Sequence, residues 1–413
     1  MRKKVSLSTQ YSYYTYKNKK NYRKKMMIIA AILGFVLISY TIIVYNENNT
    51  RPSLDLANYF PLSSIGDFEQ NSLAFDIHKE SPNIKGLYVP AHKTYNIDNL
   101  INIANQTEIN SFIIDVKDDM GYLTFSSDNK ALLEVRSIRK IPKISDINAL
   151  MDSLYKNNIY PIARIVTFKD NIVDTNFPER MILDSNGDVY ETKTGETWLN
   201  PYDKRNWEYL LEVCKEAIKV GFKEIQFDYI RFHESMIGDK VYIPGEKDIT
   251  RIEIINEFLD YIIEQLKPYG VQVSADVFGT IITSHIDAKV LGQDYKAFIK
   301  RLDAVYPMIY PSHYAPGSFG QANPDLNPYE VILGALKASS DVIRQIPLED
   351  RKAKIIPYLQ DFTATWIKPH QPYETQQLQE QIKAVYDSIL TDWVFWNGAA
   401  IYTKEAFLKQ ENR

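Results

Sequence analysis

The 413-residue sequence contains a single cysteine, Cys214, and only six histidines. One cysteine excludes an intramolecular disulfide and a zinc site built from cysteines, so a packed core must stabilise the fold. None of the histidines is paired in an HxxxH spacing, and this disfavours a dedicated transition-metal site. We therefore expect no metal in the functional site.

Acidic residues are almost absent from the start of the chain and abundant afterwards. Residues 1–25 hold nine Lys or Arg and no Asp or Glu. The net charge is −4, and the remainder carries 39 basic against 52 acidic residues, a balance of −13. An acidic main domain argues against nucleic acid as a partner.

Charge is missing from residues 26–45, which read MMIIAAILGFVLISYTIIVY. A helix of that length spans about 30 Å, the hydrocarbon thickness of a bilayer. RKK at 23–25 precedes it and Glu47 follows it, so residues 1–25 are predicted to be a cytoplasmic tail. The sequence thus predicts a single-pass anchor in the cell membrane, with the main domain outside the cytoplasm.

A cleaved signal peptide is the alternative interpretation of this segment. The apolar run is longer than a usual signal-peptide core, and no A-x-A cleavage site follows Tyr45. An uncleaved anchor is therefore favoured. An exported domain without disulfides fits a bacterial cell surface, and residues 46–83 are interpreted as a linker.

From residue 84 to 413 the sequence alternates between strand and helix patterns. This alternation predicts an α/β fold, a (β/α)8 TIM barrel. An open doubly wound sheet is the competitor, but no glycine-rich phosphate loop follows the first strand, so we expect no dinucleotide cofactor. The predicted strands are 85–89, 111–117, 160–166, 224–230, 271–278, 303–310, 353–361 and 392–397. The predicted helices are 97–108, 145–157, 203–220, 250–269, 293–301, 328–345, 373–389 and a last one that starts near Lys404.

Polar residues alternate with apolar ones in the second to fifth strands. Alternate residues of a barrel strand face the interior, and charge there is costly unless it is paired or reaches the mouth. The charged positions lie towards the carboxyl ends of the strands, where barrel enzymes build active sites. A structural ion-pair network is the other interpretation. The candidates are Asp115, Lys117, Arg164, Asp228 and Asp276, and later strands add Tyr310, Gln360 and Trp396 at matching depth.

Two carboxylates at a barrel mouth suit glycoside hydrolysis, in which one protonates the leaving oxygen and the other attacks carbon or activates water. Asp228 and Asp276 come from adjacent predicted strands. Arg164 and Arg231 are predicted to keep one carboxylate ionised. This favours Asp228 as nucleophile or base and Asp276 as acid, although the reverse assignment stays open.

Further candidates lie around this pair. Asp115 and Asp118 are reserve carboxylates, with Lys117 as the expected ion-pair partner. The segment between the third strand and the next helix exceeds thirty residues, a length typical of functional loops, and it carries Trp198, a possible sugar platform. His313 follows the sixth strand and could bind substrate or only stabilise a turn.

Several stretches, KGLYV, FIIDVKDDMGYLTF, YPIARIVTFKD, TWLNPYDKRNW, GFKEIQFDYIRF, SADVFG and VYPMIYPSHY, resemble a bacterial family of glycoside hydrolases with a TIM-barrel domain. The resemblance covers roughly residues 84–400. GFKEIQFDYIRF also resembles the fourth-strand motif of amylase-like barrels, which implies that Asp228 is the nucleophile. The fifth-strand acid of those enzymes is Glu, whereas this chain has Asp276. The family pattern has Pro after YIRF, whereas this chain has His233-Glu234, which makes Glu234 another candidate acid.

The leading hypothesis is a membrane-anchored, extracytoplasmic glycoside hydrolase that acts on a cell-wall or extracellular polysaccharide. A non-catalytic carbohydrate-binding barrel and a metal-dependent polysaccharide deacetylase are the alternatives. The missing histidine pair disfavours the deacetylase.

Overall fold

Eight parallel strands close into a barrel in the computed structural model, which describes residues 82–237 and 241–409. Each strand pairs with the next along the chain, and the eighth pairs with the first. The predicted (β/α)8 barrel is therefore confirmed. The strands are β1 Lys85–Val89, β2 Ser111–Lys117, β3 Tyr160–Val166, β4 Glu224–Asp228, β5 Gln272–Phe278, β6 Ala304–Met308, β7 Lys354–Ile355 with Tyr358–Gln360, and β8 Trp393–Trp396.

Helices connect the strands and cover the outside of the barrel. Three short helices lie outside the predicted set, at Lys130–Glu134, Val173–Asn176 and His285–Leu291. The last predicted helix forms as a single 3-10 turn, Lys404–Phe407. The helices are α1 Ile97–Gln106, α2 Lys130–Glu134, α3 Ile147–Lys156, α4 Val173–Asn176, α5 Lys204–Lys219, α6 Arg251–Leu266, α7 His285–Leu291, α8 Tyr295–Arg301, α9 Pro328–Ile343 and α10 Thr375–Asp387.

Capping residues fix the ends of the longest helices. The Asp203 carboxylate accepts a hydrogen bond from the Arg205 backbone and caps α5, so the helix starts within one residue of the predicted start at 203. Thr250 and Glu253 form a capping box at the start of α6. Gly270, at a φ of 67°, closes the turn after that helix, because glycine tolerates a left-handed backbone.

The proposed cytoplasmic tail, the anchor at 26–45 and nearly all of the linker lie outside the described residues. Among the described ones, no helix is both long and apolar enough to cross a membrane.

Two strands depart from the predicted bounds for identifiable reasons. β4 ends at Asp228 because Tyr229 takes a left-handed φ of 50° and turns the chain. β7 is interrupted at Ile356 and Pro357, since proline has no N–H to donate to a neighbouring strand. The predicted alternation holds in the interior of the barrel, where Ile113, Ile162 and Tyr306 pack together.

A buried carboxyl group lies low in the barrel, below the charged mouth. Ser274 Oγ and Tyr306 Oη donate to Glu224 Oε1 over 2.5 and 2.8 Å. Burial raises the pKa of Glu224 to about 7, although these two hydrogen bonds lower it. The folded protein therefore holds this proton more tightly than the unfolded chain, and its stability falls as pH rises between about 4.5 and 7.

Glu224→Gln should remove the loss of folding stability that accompanies a rise in pH. The amide oxygen keeps both hydrogen bonds but carries no charge, so we expect the variant to gain about 1–3 kcal/mol over wild type at pH 8 and much less at pH 4.5. Denaturant unfolding at the two pH values measures the difference. An equal difference at both values would refute the assignment.

Candidate active site

Asp228 lies at the carboxyl end of β4, inside the barrel mouth, and is 6% exposed. Its Oδ2 accepts hydrogen bonds from Arg164 Nε at 2.9 Å and Arg164 Nη2 at 2.6 Å. Its Oδ1 accepts a hydrogen bond from the Tyr229 backbone N–H at 2.6 Å, and Tyr229 itself has a left-handed backbone conformation. Both oxygens of the Asp228 carboxyl group are therefore held by donors of the protein, two of them from a cation.

The same arginine reaches a second carboxylate. Arg164 Nη1 donates to Asp115 Oδ1 over 2.7 Å, and the Tyr88 hydroxyl lies 3.0 and 3.1 Å from the two Asp115 oxygens. Burial raises the pKa of Asp115, and Arg164 opposes this effect. Arg164 is 1% exposed, so it is a buried cation shared by two carboxylates from the strands on either side.

Asp276 occupies the interior position of β5 next to Asp228. Phe227 and Ala275 are paired, and each is followed by one of the two aspartates. Asp276 is 2% exposed, and its Oδ1 has no hydrogen-bond partner. Burial, followed by the negative charge of Asp228, raises the pKa of Asp276 well above its usual range. The two carboxyl groups thus lie in opposite environments, one paired with a cation and the other favouring its proton.

An aromatic pair lies beside the carboxylates. Tyr88 and Trp396 stack with ring centroids 3.7 Å apart and an interplanar angle of 11°. The guanidinium carbon of Arg164 lies 5.5 Å from each ring centroid. Trp396 is half-buried and so brings an aromatic edge to the mouth next to the predicted catalytic groups.

Lys117 does not face the mouth and does not pair with Asp115 or Asp118 as expected. A bulge between Asp115 and Lys117 adds a residue to β2, so Lys117 lies opposite the outward-facing Ile165. Its ammonium group bonds to Asp170 Oδ2 at 2.9 Å and to the Val166 and Lys169 carbonyls. These bonds use all three donors of a buried lysine, which places it in a structural ion pair.

Asp118 fixes the loop that follows β2. Its Oδ1 accepts from the Met120 and Tyr122 backbones, and its Oδ2 pairs with Lys143 at 2.8 Å and Arg139 at 3.2 Å. The side chain is almost fully buried. These partners account for the carboxylate without a substrate.

Trp198 is fully buried, so the prediction of an exposed sugar platform is wrong for this residue. Its ring packs against Tyr229 and His233 beneath the long loop. Arg231 lies over this cluster, with its guanidinium carbon 5.3 Å from the Trp198 ring, and pairs with Glu234 at 3.3 Å. The cation bonded to Asp228 is therefore Arg164, whereas Arg231 fixes the segment after β4.

The later predicted residues divide into two groups. Gln360 is fully buried, accepts from the Ser312 backbone and donates to Asp325, so it joins the loops after β6 and β7. Tyr310 and His313 contact each other edge to face. Tyr310 belongs to the buried cluster that contains Tyr88 and against which Trp396 packs. Burial, together with the charges of Asp276 and Asp228, raises the pKa of Tyr310. His313 is exposed, and its Nδ1 is hydrogen-bonded to Ser312 Oγ at 2.9 Å.

Sequence reasoning missed three mouth residues. Asp119 lies 3.6 Å from both Arg164 and Lys169, and these cations lower its pKa although burial opposes them. Lys169 also pairs with Glu196 at 2.6 Å. Trp366, on the loop after β7, is 66% exposed. The acidic pair in KDD was a signal for Asp119, whereas no local pattern indicated Lys169 or Trp366. Among the described residues, no group of three or more His, Cys, Asp or Glu side chains is arranged to hold a metal ion.

Comparison with known families shows to which family the chain belongs. Residues 86–402 match the model of a family described as "Putative glycosyl hydrolase domain". The chain belongs to this family. The match extends over the whole barrel, from β1 to the segment after β8, and it confirms the resemblance found in the sequence. Membership in the glycosyl hydrolase family makes the barrel a glycoside hydrolase domain.

Two solved structures are among those similar to this family member. A hypothetical protein from Ruminiclostridium thermocellum ATCC 27405 is 36% identical, and the alignment covers 46% of this chain and 97% of that one, with a TM-score of 0.42. The glycoside hydrolase domain of PgaB (BpsB) from Bordetella bronchiseptica is 14% identical, with coverages of 76% and 94% and a TM-score of 0.54. The second likeness concerns the fold alone. A search of curated proteins found no match.

Proposed function

We propose that this protein is a membrane-anchored, extracytoplasmic glycoside hydrolase that cleaves a cell-wall or extracellular polysaccharide by a two-carboxylate mechanism. The observation that carries the mechanism is the pair of interior aspartates at the ends of β4 and β5. Arg164 donates two hydrogen bonds to Asp228, whereas burial and the Asp228 charge raise the pKa of Asp276. Such a separation of environments is what assigns acid and base roles to two carboxyl groups.

In this mechanism Asp276 donates its proton to the glycosidic oxygen as the bond to the anomeric carbon breaks. Asp228 either attacks that carbon or removes a proton from the attacking water. Its Oδ2 accepts both Arg164 bonds, and its Oδ1 accepts the Tyr229 N–H. These donors stabilise the negative charge of Asp228 before reaction and orient its carboxylate. Asp115 and Asp119 balance the charge of Arg164 on its other side.

The membrane location is proposed from the sequence. Twenty uncharged residues at 26–45 follow a tail with nine basic residues, which supports an anchor with the tail in the cytoplasm. Membrane fractionation and external protease treatment of intact protoplasts test this placement. The barrel should sediment with membranes and be degraded from outside, whereas a barrel protected inside the cell would contradict it.

The activity is tested with full-length protein in mild detergent, incubated with a panel of cell-wall and extracellular polysaccharides. New reducing ends should appear with at least one member of the panel. If sugars bind but no reducing ends form, the chain is a carbohydrate-binding barrel. Acetate release without chain cleavage would favour a deacetylase.

Asp276→Asn should remove the alkaline limb of the pH profile. In the wild type, kcat/KM falls as pH rises through the raised pKa of Asp276, because the acid loses the proton that it must donate. Activity of the variant on polysaccharide should fall by about 10²–10⁴-fold. Hydrolysis of a dinitrophenyl glycoside of the released sugar should be slowed far less in this variant, because the dinitrophenolate leaving group needs no proton. A retained alkaline limb in the variant would assign the acid role to another residue.

A further inference from the structure

The loop after β7, residues 361–374, carries an indole in an unusual position. Trp366 is 66% exposed, whereas Trp198, Trp207 and Trp393 are buried and Trp396 is half-buried. This exposed indole surface is available to contact a ligand. The loop follows the carboxyl end of a barrel strand and therefore lies on the same face as the active site.

A series of ring contacts connects this tryptophan to the catalytic aspartates. Trp366 stacks on Phe362 with centroids 5.9 Å apart and an angle of 19°. Phe362 contacts Tyr310 edge to face at 5.7 Å, and Asp276 and Asp228 both act on the pKa of Tyr310. Trp366 is therefore two ring contacts from Tyr310, which belongs to the same buried cluster as Tyr88 at the barrel mouth. Phe362 covers one face of the indole.

The loop that carries Trp366 is fixed to the neighbouring loop. The buried Asp325 accepts hydrogen bonds from the Gln371 backbone and from Gln360 Nε2, each at 3.2 Å. The Tyr373 hydroxyl donates to the Asp325 carbonyl at 3.0 Å. His313 adds an edge contact to the Trp366 ring at 6.5 Å. The indole is thus held in place before any ligand binds, which lowers the entropic cost of binding.

We propose that Trp366 is the platform of a second sugar subsite, so that the substrate is an oligosaccharide or polysaccharide chain extending from the carboxylates over the loop after β7. The C–H face of a pyranose ring is flat and apolar and matches the free face of an indole. Hydroxyl groups at the edge of the sugar remain in water. The inference rests on the proposed function and adds the position and the least length of the substrate.

Selective oxidation tests contact with the sugar without requiring catalysis. Full-length Asp228→Asn protein is treated with limiting N-bromosuccinimide, and indole oxidation at Trp366 is followed by peptide mass spectrometry. The probes are chitohexaose, cellohexaose and xylohexaose. At least one hexasaccharide should slow oxidation of Trp366 several-fold, whereas its disaccharide should not. Failure of all three to protect Trp366 would overturn the inference.

Kinetics of Trp366 variants provide the second measurement, with a hexasaccharide that the wild type hydrolyses as substrate. Trp366→Ala should raise KM by about ten-fold with little change in kcat, and Trp366→Phe should lie between it and wild type. Leu348→Ala is the matched control, because Leu348 is 76% exposed but precedes β7 at the opposite end of the barrel. A wild-type KM in Trp366→Ala would also overturn the inference.

The two proposals fail in different ways. Hydrolysis that Asp228→Asn abolishes, combined with an unprotected Trp366 and an unchanged KM in Trp366→Ala, refutes the subsite and leaves the glycoside hydrolase mechanism standing. Protection of Trp366 without hydrolysis by the wild type supports the subsite and refutes the catalytic proposal.

Discussion

Asp228→Asn should lower polysaccharide hydrolysis roughly 10⁴-fold while the barrel stays folded. The amide cannot act as nucleophile or base, but its oxygen can still accept a hydrogen bond from Arg164. The buried arginine keeps Asp115 at 2.7 Å and Asp119 at 3.6 Å as counter-ions. Activity should therefore be lost without the collapse that an unpaired buried cation would cause.

Reducing-end assays and thermal unfolding measure the two parts of this prediction. Asp98→Asn is the matched control, because Asp98 is exposed in the first turn of α1, outside the barrel. It should behave as wild type in both assays. A wild-type hydrolysis rate in Asp228→Asn would exclude this residue from the reaction, and a large loss of stability would leave the loss of activity ambiguous.

Arg164→Met should have the largest effect on stability. It leaves Asp228 and Asp115 buried without the cation that bonds to both. Removing one partner from a buried charge network typically costs about 3–5 kcal/mol. The free energy of unfolding at pH 7 should therefore fall by about this amount. Burial raises the pKa of Asp115, so its protonation removes one of these charges, and the deficit should shrink as pH falls towards 4.

Denaturant unfolding at both pH values checks this result, and activity should also be lost because Asp228 loses two donors. Arg301→Met is the matched control. Arg301 pairs with Asp260 over 2.7 Å at a more exposed site, where such pairs contribute about 0–1 kcal/mol. Equal destabilisation of the two variants would show that the buried arginine has no special role.

The interior of the barrel was largely predictable, because strand alternation depends on local spacing alone. Strand alternation predicts that Asp115, Arg164, Asp228 and Asp276 face the barrel interior. In the structure Arg164 donates hydrogen bonds to both Asp115 and Asp228. The sequence also predicts that Arg231 helps to keep one carboxylate ionised, but the left-handed turn at Tyr229 redirects the chain and Arg231 pairs with Glu234. A turn of that kind leaves no pattern in the composition of the strand.

The errors arise where one residue changes the geometry. The bulge in β2 turns the Lys117 side chain to the other face of the strand, where it forms an ion pair with Asp170. Strand alternation cannot predict an inserted residue. Trp198 and Trp366 both lie in loops, yet one is buried and the other is 66% exposed. Loop burial depends on contacts between distant segments, and residue type alone does not reveal them.

The central claim is that Asp228 and Asp276 act as one catalytic pair, and a double-mutant cycle tests it most directly. Reducing ends released by the wild type, Asp228→Asn, Asp276→Asn and the double variant are compared on one polysaccharide. Residues that act in the same step are strongly non-additive, so the double variant should be no more than a few-fold slower than the worse single variant. Wild-type activity in either single variant, or losses that multiply in the double variant, would contradict the account.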